Sequence, residues 1–313
     1  MDNLLVSVSP HIRSGTTTQR IMIDVLIALC PAFVASIVIF GARSALVVCV
    51  CVVTCVVCEW GYEKAMKRQN TIKDFTACIT GVLLGFNLPV TIPIWQAVFG
   101  SAVAIILVKQ LFGGLGKNFA NPAITARVIM FLAFSVTMTT WVSPDAVSSA
   151  SPDAVSSATP IVLLAKGATD ALPSIMNMLL GWHGGALGET CILALALGGI
   201  YLLIRRVITW HAPVSFIAVV FALSAALGQN PVYQILSGGL VLGAIFMATD
   251  YVTTPLTNVG KLVFGIGAGL LTSLFRFYGS YPEGVSFAIL LMNILTPYIN
   301  RITKQKPLGA IRK

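Results

Sequence analysis

Apolar residues occupy most of this chain in long blocks, separated by short segments that carry charge, proline or glycine. Residues 21–40 and 45–57 meet or approach the roughly 20 residues that a helix needs to cross the hydrocarbon core of a bilayer. Hydropathy and turn signals predict an all-α polytopic membrane protein whose first span is permanent, because similar blocks follow it and no signal-peptide cleavage site is present. The ten predicted spans are 21–40, 44–60, 75–89, 94–111, 122–142, 188–204, 212–227, 231–249, 261–279 and 284–300.

The ten spans divide into two groups of five, 21–142 and 188–300, around the intervening segment 143–187. An odd number of spans in each half predicts that the second half is inverted relative to the first. The third span ends in GFNLPVTIP at 85–93 and the eighth in ATDYVTTPLT at 248–257, and each is a polar, proline-containing break at a corresponding place. Such pairs indicate discontinuous helices that line a site, although two ordinary loops are the alternative. The third span is also short for a full crossing.

Composition and charge agree with a membrane location. The chain is 57% hydrophobic and 10% charged, with a mean hydropathy of +0.89. Its formal charge of +9 is distributed between spans and at the C-terminus, which indicates topology rather than nucleic-acid binding. If the terminal segments 1–20 and 301–313 are cytoplasmic, only Arg43, Lys166 and Arg276 fall on the outer side. The inner loops then collect Lys64, Lys67, Arg68, Lys73, Lys109, Lys117, Arg127, Arg205, Arg206 and Lys261.

Isolated polar and aromatic residues carry less information about function than the charge distribution does. The five tryptophans are predicted at span ends or in an outer loop, where indole prefers the headgroup level. The C-x-C and C-x-x-C pairs between residues 49 and 58 have two interpretations: a metal or redox site, or thiols that pack a helix. No histidine is near these pairs in the sequence, and His11, His183 and His211 are scattered along the chain. Asp24 is expected to reach the membrane interface, with an ion-pathway role as the alternative, and Arg205 and Arg206 to anchor the inner face.

A tandem duplication marks the segment between the two halves. The octapeptide SPDAVSSA at 143–150 is repeated at 151–158 and is followed by Thr159 and Pro160. These small, hydroxyl-rich residues cannot bury enough apolar area to form a core, so a solvated loop is predicted. Pro160 favours an extended conformation at Thr159, which is expected to leave the hydroxyl exposed. The apolar runs 161–165 and 176–180 are expected to fold back onto the membrane surface.

The second copy of the repeat resembles a flavinylation motif. Asp153, followed by Ser156-Ser157-Ala158-Thr159, is similar to the pattern in which a flavin transferase joins FMN through its phosphate to the threonine hydroxyl. The usual glycine before Ala-Thr is Ser157 here, which should permit transfer unless that position needs a positive φ. The first copy carries Ser151 at the acceptor position.

Two further segments strengthen this resemblance. GGLGKNFANPA at 113–123 and ATDYVTTP at 248–255 resemble signatures of the family that contains the RnfD protein of the Rnf complex and the NqrB protein of the sodium-pumping NADH:quinone reductase. Order, spacing and the ten-span layout agree along essentially the whole chain. Because the chain enters the membrane by about residue 21, the RnfD branch is the closer match.

The resemblance implies a flavoprotein subunit of a redox-driven Na⁺ or H⁺ pump that transfers electrons between ferredoxin and NAD in a bacterial inner membrane. It implies covalent FMN on Thr159 outside the cytoplasm, a second, noncovalent riboflavin, a flavin transferase, and partner subunits that include a second covalent-flavin subunit. Asn118 and Asn121 offer donors and acceptors for the flavin's uracil-like edge, with capping of the fifth helix as the alternative. Asp250 and Thr253 are further candidates in the second break; an exposed loop carboxylate is the alternative for Asp250.

The chain is not expected to catalyse the reaction alone. No G-x-G-x-x-G follows a predicted strand, and no iron–sulfur cysteine run is present, so the ferredoxin and nicotinamide sites are expected on other subunits. The main alternative from another class is an inverted-repeat permease or channel without a redox role, since the architecture alone does not separate the two. An assembly scaffold is a third possibility.

Overall fold

The computed structural model describes residues 17–144, 159–167, 172–279 and 283–304. Four candidate site residues, Asp153, Ser156, Ser157 and Ala158, lie outside these described residues, as does most of the tandem duplication. Thr159, the predicted acceptor, lies at the start of the second described range.

The first half begins with two long helices, α1 (Thr18–Phe40) and α2 (Ala42–Ala65), which meet at Gly41. Gly41 has φ of 73°, a left-handed value that suits glycine, and its N–H caps α1 by donating to the carbonyl of Ile37. Shorter elements follow. They are a 3₁₀ turn at Ile72–Asp74, α3 (Thr76–Phe86), α4 (Ile94–Ala102, continued as a π-helix over Val103–Gln110), α5 (Pro122–Ala133) and α6 (Ser135–Met138).

Two short helices, α7 (Pro160–Ala165) and α8 (Ile175–Leu180), precede the second half. Both pack against α11, as expected for apolar runs that fold back onto the helices. The second half contains α9 (Ile192–Ile204), α10 (His211–Ala226), α11 (Pro231–Leu236), α12 (Leu240–Leu242, continued as a π-helix over Gly243–Met247), α13 (Asn258–Tyr278) and α14 (Val285–Ile302).

Within the described ranges, four helices are long and apolar enough to cross a membrane: α1, α2, α13 and α14. In the same ranges, five further apolar helices have only 10–17 residues, among them α3 and α5. Each predicted span therefore contains a helix, and the prediction of an all-helical membrane protein is confirmed. The count of ten crossings and the inverted repeat stay predictions, because α12 and α3 are too short to cross on their own.

The two predicted helix breaks are present. α3 ends at Phe86, and the non-helical residues Asn87, Leu88 and Ile92 are almost completely buried. The carbonyl of Leu88 accepts a hydrogen bond from the N–H of Leu187, so this break is held inside the protein by the segment before α9. α12 ends at Met247, after which the backbone is irregular up to the start of α13. Non-helical backbone that is buried among membrane helices requires hydrogen-bond partners within the protein, and both breaks have such partners.

Glycines permit close helix contacts in the second half. A Cβ on Gly265 would lie 2.0 Å from Ser215 Oγ, and one on Gly269 would lie 2.7 Å from Val219 Cβ, so α13 and α10 approach through small residues. A Cβ on Gly198 of α9 would lie 2.1 Å from the carbonyl oxygen of Ala28 in α1. Small residues at helix contacts are the usual means of close packing in membranes, where no hydrophobic driving force joins two helices.

The assignment of two cations to loops is wrong, because Lys109 and Arg127, placed in inner loops by the sequence, are 2% and 6% exposed inside α4 and α5. Arg276, assigned to the outer side, is 4% exposed inside α13. Trp141 is buried, whereas the other four tryptophans are about half exposed. Each of the three cations has polar partners within the helix bundle, which hydropathy does not reveal.

Candidate functional site

A cavity lies where the two segments with family-like motifs meet. Asn118 and Asn121 of the first segment and Asp250 of the second line the same cavity, although about 130 residues of chain separate them. α1, α3, α4 and α9 supply the remaining walls, which are mostly apolar. The cavity contains about 790 Å³ of space between atoms, part of it open to solvent. This mixture of apolar walls with a few polar groups is typical of cofactor sites.

The two asparagines have different roles. Asn121 Oδ1 accepts from the N–H groups of Ala123 and Ile124, so it is the N-cap of α5, with Pro122 in the first turn. The capping alternative is therefore correct for Asn121. Asn118 is not in that cap, and its buried Oδ1 has no hydrogen-bond partner among the described residues. An orphaned buried acceptor beside a cavity is expected to pair with a bound ligand or water.

Asp250 and Thr253 hold the second break together. Asp250 accepts from Thr253 Oγ1 at 3.0 Å and from the N–H of Val252 at 3.4 Å, and the carboxylate faces the cavity rather than open solvent. The carbonyl of Thr253 accepts from Thr296 Oγ1 of α14 at 2.8 Å. Asn293, also on α14, can donate to the same carbonyl at 3.3 Å and accept from the N–H of Asn121 at 3.2 Å. The α14 side chains thus join the two segments that line the cavity.

A buried ion pair supports the cavity wall. Lys109 Nζ lies 2.7 and 2.9 Å from the two carboxylate oxygens of Glu59 and donates to Thr76 Oγ1 at 2.7 Å. Gln110 and Thr71 also donate to Glu59, which is 0% exposed. Lys109 and Thr76 line the cavity. Lys109 belongs to the π-helical part of α4, and π-helical turns occur frequently at functional sites because they redirect side chains.

A second cluster, which we call the ionic cluster, consists of Arg127, Glu189, Arg276 and Glu283. Arg127 donates to Glu283 at 3.2 Å, and it also donates to Asn87 Oδ1 of the first break at 2.7 Å and to Ser286 Oγ at 2.9 Å. These contacts join α5, the first break and the start of α14. Glu283 lies outside the long helices, and its burial together with the nearby Glu189 charge raises its pKa to about 8.

Glu189 Oε1 accepts a hydrogen bond from the N–H of Ala186, and its Oε2 has no hydrogen-bond partner in the described part of the chain. That oxygen lies 2.5 Å from the position that a Cβ on Gly239 would occupy. Gly239 has φ of 66°, so the left-handed backbone and the carboxylate both require glycine there.

Thr159 has the predicted extended backbone, with φ of −63° and ψ of 151°, and precedes Pro160 at the start of α7. The expectation that its hydroxyl is exposed is wrong. Thr159 is 2% exposed, and its Oγ1 is buried without a hydrogen-bond partner among the described residues. The apolar start of α7 packs inward and carries Thr159 with it, since Ile161 is 1% exposed. A buried hydroxyl without a partner is uncommon and is expected to have a chemical reason.

Asp24 and two of the cysteines are buried between helices. Asp24 is 8% exposed and pairs with Arg205 at 3.2 Å and with the Tyr201 hydroxyl at 3.0 Å, so it joins α1 to α9 rather than reaching the interface alone. Cys51 and Cys55 are buried one helical turn apart in α2, whereas Cys49 is exposed. No group of three metal-binding side chains occurs among the described residues.

The comparison with known proteins decides the family. The model of the NQR2, RnfD, RnfE family matches residues 5–309. The chain belongs to this family. The D subunit of the Na(+)-translocating ferredoxin:NAD(+) oxidoreductase complex of Acetobacterium woodii is 42% identical over 315 residues, which cover 99% of this chain and 96% of that relative.

Two further relatives support the same branch. The D subunit of the proton-translocating ferredoxin:NAD(+) oxidoreductase complex of Clostridium ljungdahlii is 40% identical, over 98% of this chain and 96% of the relative. The D subunit of the ion-translocating oxidoreductase complex of Ectopseudomonas mendocina is 36% identical, over 96% of this chain and 94% of the relative. Within the NQR2, RnfD, RnfE family, the assignment to the RnfD branch is thereby confirmed.

Three buried acidic residues that organise this fold, Glu59, Glu189 and Glu283, were not among the sequence-predicted candidates. The signal was present, because an acidic residue within or beside an apolar helix is expensive to bury and is therefore a functional or structural candidate. What the sequence does not show is the partner: Glu59 and Lys109 are 50 residues apart.

Proposed function

We propose that this chain is the membrane electron-transfer subunit of an Rnf-type ion-translocating ferredoxin:NAD⁺ oxidoreductase. The main supporting observation is that its two family motifs, Asn118 in one and Asp250 in the other, converge on one cavity with mostly apolar walls. The names of relatives along almost the full length support the same activity. Other subunits of the complex would supply the ferredoxin and nicotinamide sites, a second covalent flavin would lie on one of them, and a flavin transferase would mature this one.

We propose that FMN is attached through its phosphate to Thr159. The hydroxyl oxygen would form the new P–O bond as the pyrophosphate bond of a flavin dinucleotide donor breaks, which releases a nucleoside monophosphate that takes up the hydroxyl proton. The motif around Thr159 supports this, and so does the orphaned Oγ1, an oxygen that has no hydrogen bond to any described residue to lose when it is esterified. Because the hydroxyl is buried, the transferase must act while α7 is detached from the bundle. After flavinylation, α7 would dock again by packing Ile161 and Leu164 into the bundle. This docking would limit the volume that the tethered flavin can sample.

When bound, a flavin supplies reversible electron uptake, and the protein contributes position and exclusion of water. Here α7 and α8 would position the Thr159 site, and the apolar walls of the cavity would exclude water from a noncovalent cofactor. Both ends of the chain are proposed to be cytoplasmic, with Thr159 on the opposite side of a bacterial inner membrane. The coupling ion is not fixed by similarity, because the names of two relatives with 42% and 40% identity specify sodium and protons respectively.

Covalent attachment is tested by in-gel fluorescence. We expect the denatured polypeptide, coexpressed with its flavin transferase, to fluoresce under ultraviolet light, and we expect Thr159→Val to be dark because no acceptor oxygen is left. Thr137→Val is a matched control, since it removes a threonine hydroxyl elsewhere in the chain and should leave fluorescence unchanged. A dark wild-type band would instead favour a permease or channel without a redox role.

The duplication provides an internal control on acceptor choice. Peptide mass spectrometry of the fluorescent protein should place FMN on Thr159 and none on Ser151, which follows nearly the same residues. Modification of both hydroxyls would show that the transferase selects the preceding residues rather than threonine itself.

We also propose that the cavity holds a noncovalent riboflavin. The orphaned Asn118 Oδ1 would accept a hydrogen bond from the flavin's uracil-like edge, and residues such as Ile79, Leu83 and Phe246 would contact its apolar rings. Asn121 supports the site indirectly, because capping fixes the start of α5 beside Asn118. Asp250 and Thr253 would shape the opposite wall.

This second site predicts a flavin that denaturation releases. Acid precipitation of the purified protein should leave free riboflavin in the supernatant while FMN stays with the pellet. Asn118→Ala should weaken riboflavin retention by roughly 5-fold to 150-fold, because a lost ligand hydrogen bond costs about 1 to 3 kcal/mol when a polar group is left unpaired. Asn177→Ala, at an exposed position on α8, is the control. Equal retention in both variants would count against this pocket.

A further inference from the structure

A buried arginine beside α7 lacks a carboxylate in direct contact. Arg276 is 4% exposed. The carboxylates of Glu189 and Glu283 are near enough to attract its positive charge. No carboxylate in the described ranges, however, lies within ion-pair distance of it. Its Nη1 donates to the carbonyl of Gln234, and its Nη2 donates to the carbonyl of Ser237 at 2.8 Å. Its Nε has no partner among the described residues. A guanidinium taken out of water without a contacting anion is costly, so a group that supplies negative charge is expected beside it.

The same side of α13 carries two more unsatisfied groups. Thr272 and Ser273 lie one turn before Arg276, at 0% and 2% exposure, and neither hydroxyl has a hydrogen-bond partner in the described part of the chain. Hydroxyls in a helix commonly donate to the carbonyl four residues earlier, as Ser215 does in α10, so their lack of partners is unusual. Three neighbouring positions therefore offer unused hydrogen-bonding groups around one buried positive charge.

The start of α7 lies next to this surface. The Cβ position of Gly238 is 2.8 Å from Arg276 Nη2 and 3.7 Å from Ile161 Cδ1, so Arg276 and Ile161 approach the same glycine. Ile161 is two residues after Thr159, whose own Oγ1 is buried and unpartnered. Gly238 has φ of 65°, and any side chain at this left-handed position would occupy the space between them.

The other buried cation nearby, Arg127, already has an anion in direct contact. Arg127 pairs with Glu283 and donates to Asn87 and Ser286, so its charge is compensated. Lys166 lies at the opposite end of α7 and is exposed. Among these three cations, Arg276 is the buried one whose positive charge lacks an anion in direct contact.

We propose that Arg276 binds the phosphoryl group through which the flavin is attached to Thr159. This inference rests on the proposed flavinylation. A phosphodiester carries one negative charge, which is costly to bury near the apolar start of α7 unless a cation compensates it, and arginine is well suited to phosphate. The Nε–H of Arg276 would donate to a phosphate oxygen, while its other nitrogens keep the backbone contacts to α11. The hydroxyls of Thr272 and Ser273 would complete a polar surface for the phosphate and the ribityl chain.

The proposal is tested by the effect of flavinylation on thermal unfolding. The full-length chain would be produced with and without its flavin transferase, purified in the same detergent and heated while unfolding is followed. Flavinylated wild-type protein should unfold at a higher temperature than the same polypeptide without flavin. Arg276→Gln should abolish that difference, and Arg276→Lys should retain only part of it, because lysine keeps the charge without the planar fork.

Arg43 provides the matched control. It also donates to backbone carbonyls, at Val90 and Ile92, but it is exposed and belongs to the start of α2. Arg43→Gln should leave the flavin-dependent difference at its wild-type value. This control separates loss of a phosphate contact from loss of an arginine that holds a loop, because a purely structural Arg276 would lower both unfolding temperatures equally.

The outcomes are distinct. A flavin-dependent difference that is absent in wild type, or unchanged in Arg276→Gln, overturns the phosphate contact. If Arg276→Gln does not accumulate, Arg276→Lys decides, since an undiminished difference in that variant also overturns it. In-gel fluorescence of each sample is recorded in parallel, and a band that is dark in every sample refutes flavinylation itself rather than the role of Arg276.

Discussion

Replacing Glu59 by leucine should lower the free energy of unfolding by about 3 to 5 kcal/mol, because it leaves a buried lysine without its anion. Lys109 Nζ has both carboxylate oxygens of Glu59 within 2.9 Å, and the two side chains are 3% and 0% exposed. Thr76 and Gln110 cannot replace the lost charge, since both are neutral. The measurement is denaturant-induced unfolding of the purified protein in detergent, compared with wild type.

The double variant Glu59→Leu/Lys109→Met separates charge from packing. Replacement of a buried ion pair by apolar residues of similar volume is often close to neutral, so the double variant should recover most of the loss caused by Glu59→Leu. If Glu59→Leu costs less than about 1 kcal/mol, the pair behaves like a solvated one and the buried geometry is not maintained in the membrane protein.

Replacing Arg127 by methionine should have an effect of similar size, again about 3 to 5 kcal/mol, and it should also disturb the first helix break. Arg127 is the shared donor to Glu283, Asn87 and Ser286, so its loss leaves the buried Glu283 carboxylate without its contacting cation and removes one hydrogen bond each from Asn87 Oδ1 and Ser286 Oγ. Unfolding in detergent measures the stability change. Proteolysis of the native protein, followed by mass spectrometry of the fragments, measures whether the segment around Asn87 has become accessible.

Ser286→Ala is the control for this cluster. It removes only one neutral contact of Arg127 and should cost roughly 1 kcal/mol, the usual net contribution of one hydrogen bond. A cost for Arg127→Met no larger than that of Ser286→Ala would show that the Arg127–Glu283 contact does not stabilise the fold. Unchanged resistance to cleavage around Asn87 would show that the break is held by backbone contacts, such as that from Leu187, alone.

The two buried ion pairs each join helices that are distant in the sequence. Glu59 with Lys109 joins α2 to α4, and Arg127 with Glu283 joins α5 to the start of α14. Apolar side chains do little to determine which helices associate in a membrane, because lipid tails are as apolar as leucine. Buried polar contacts that only one helix arrangement satisfies are therefore well placed to select this arrangement.

The sequence by itself determined the helical architecture and the two breaks. Apolar block length and the bilayer thickness fix where helices form, and proline with polar residues at 87–93 and 248–257 prevents their continuation. The family motifs also follow from local sequence, since residues 113–123 and 248–255 each carry a recognisable pattern. The capping role of Asn121 followed from the adjacent Pro122.

Tertiary structure alone decided which distant residues meet. The local pattern of charge assigned Lys109 and Arg127 to inner loops, because it treats a charge as exposed without information about a partner 50 or more residues away. The burial of Arg276, which was assigned to the outer side, depends in the same way on residues about 40 positions away. The burial of Thr159 likewise depends on the docking of α7, which its local sequence of small polar residues and proline does not specify. Local patterns report the cost of burying a charge or hydroxyl, whereas only the packed helices supply the groups that offset it.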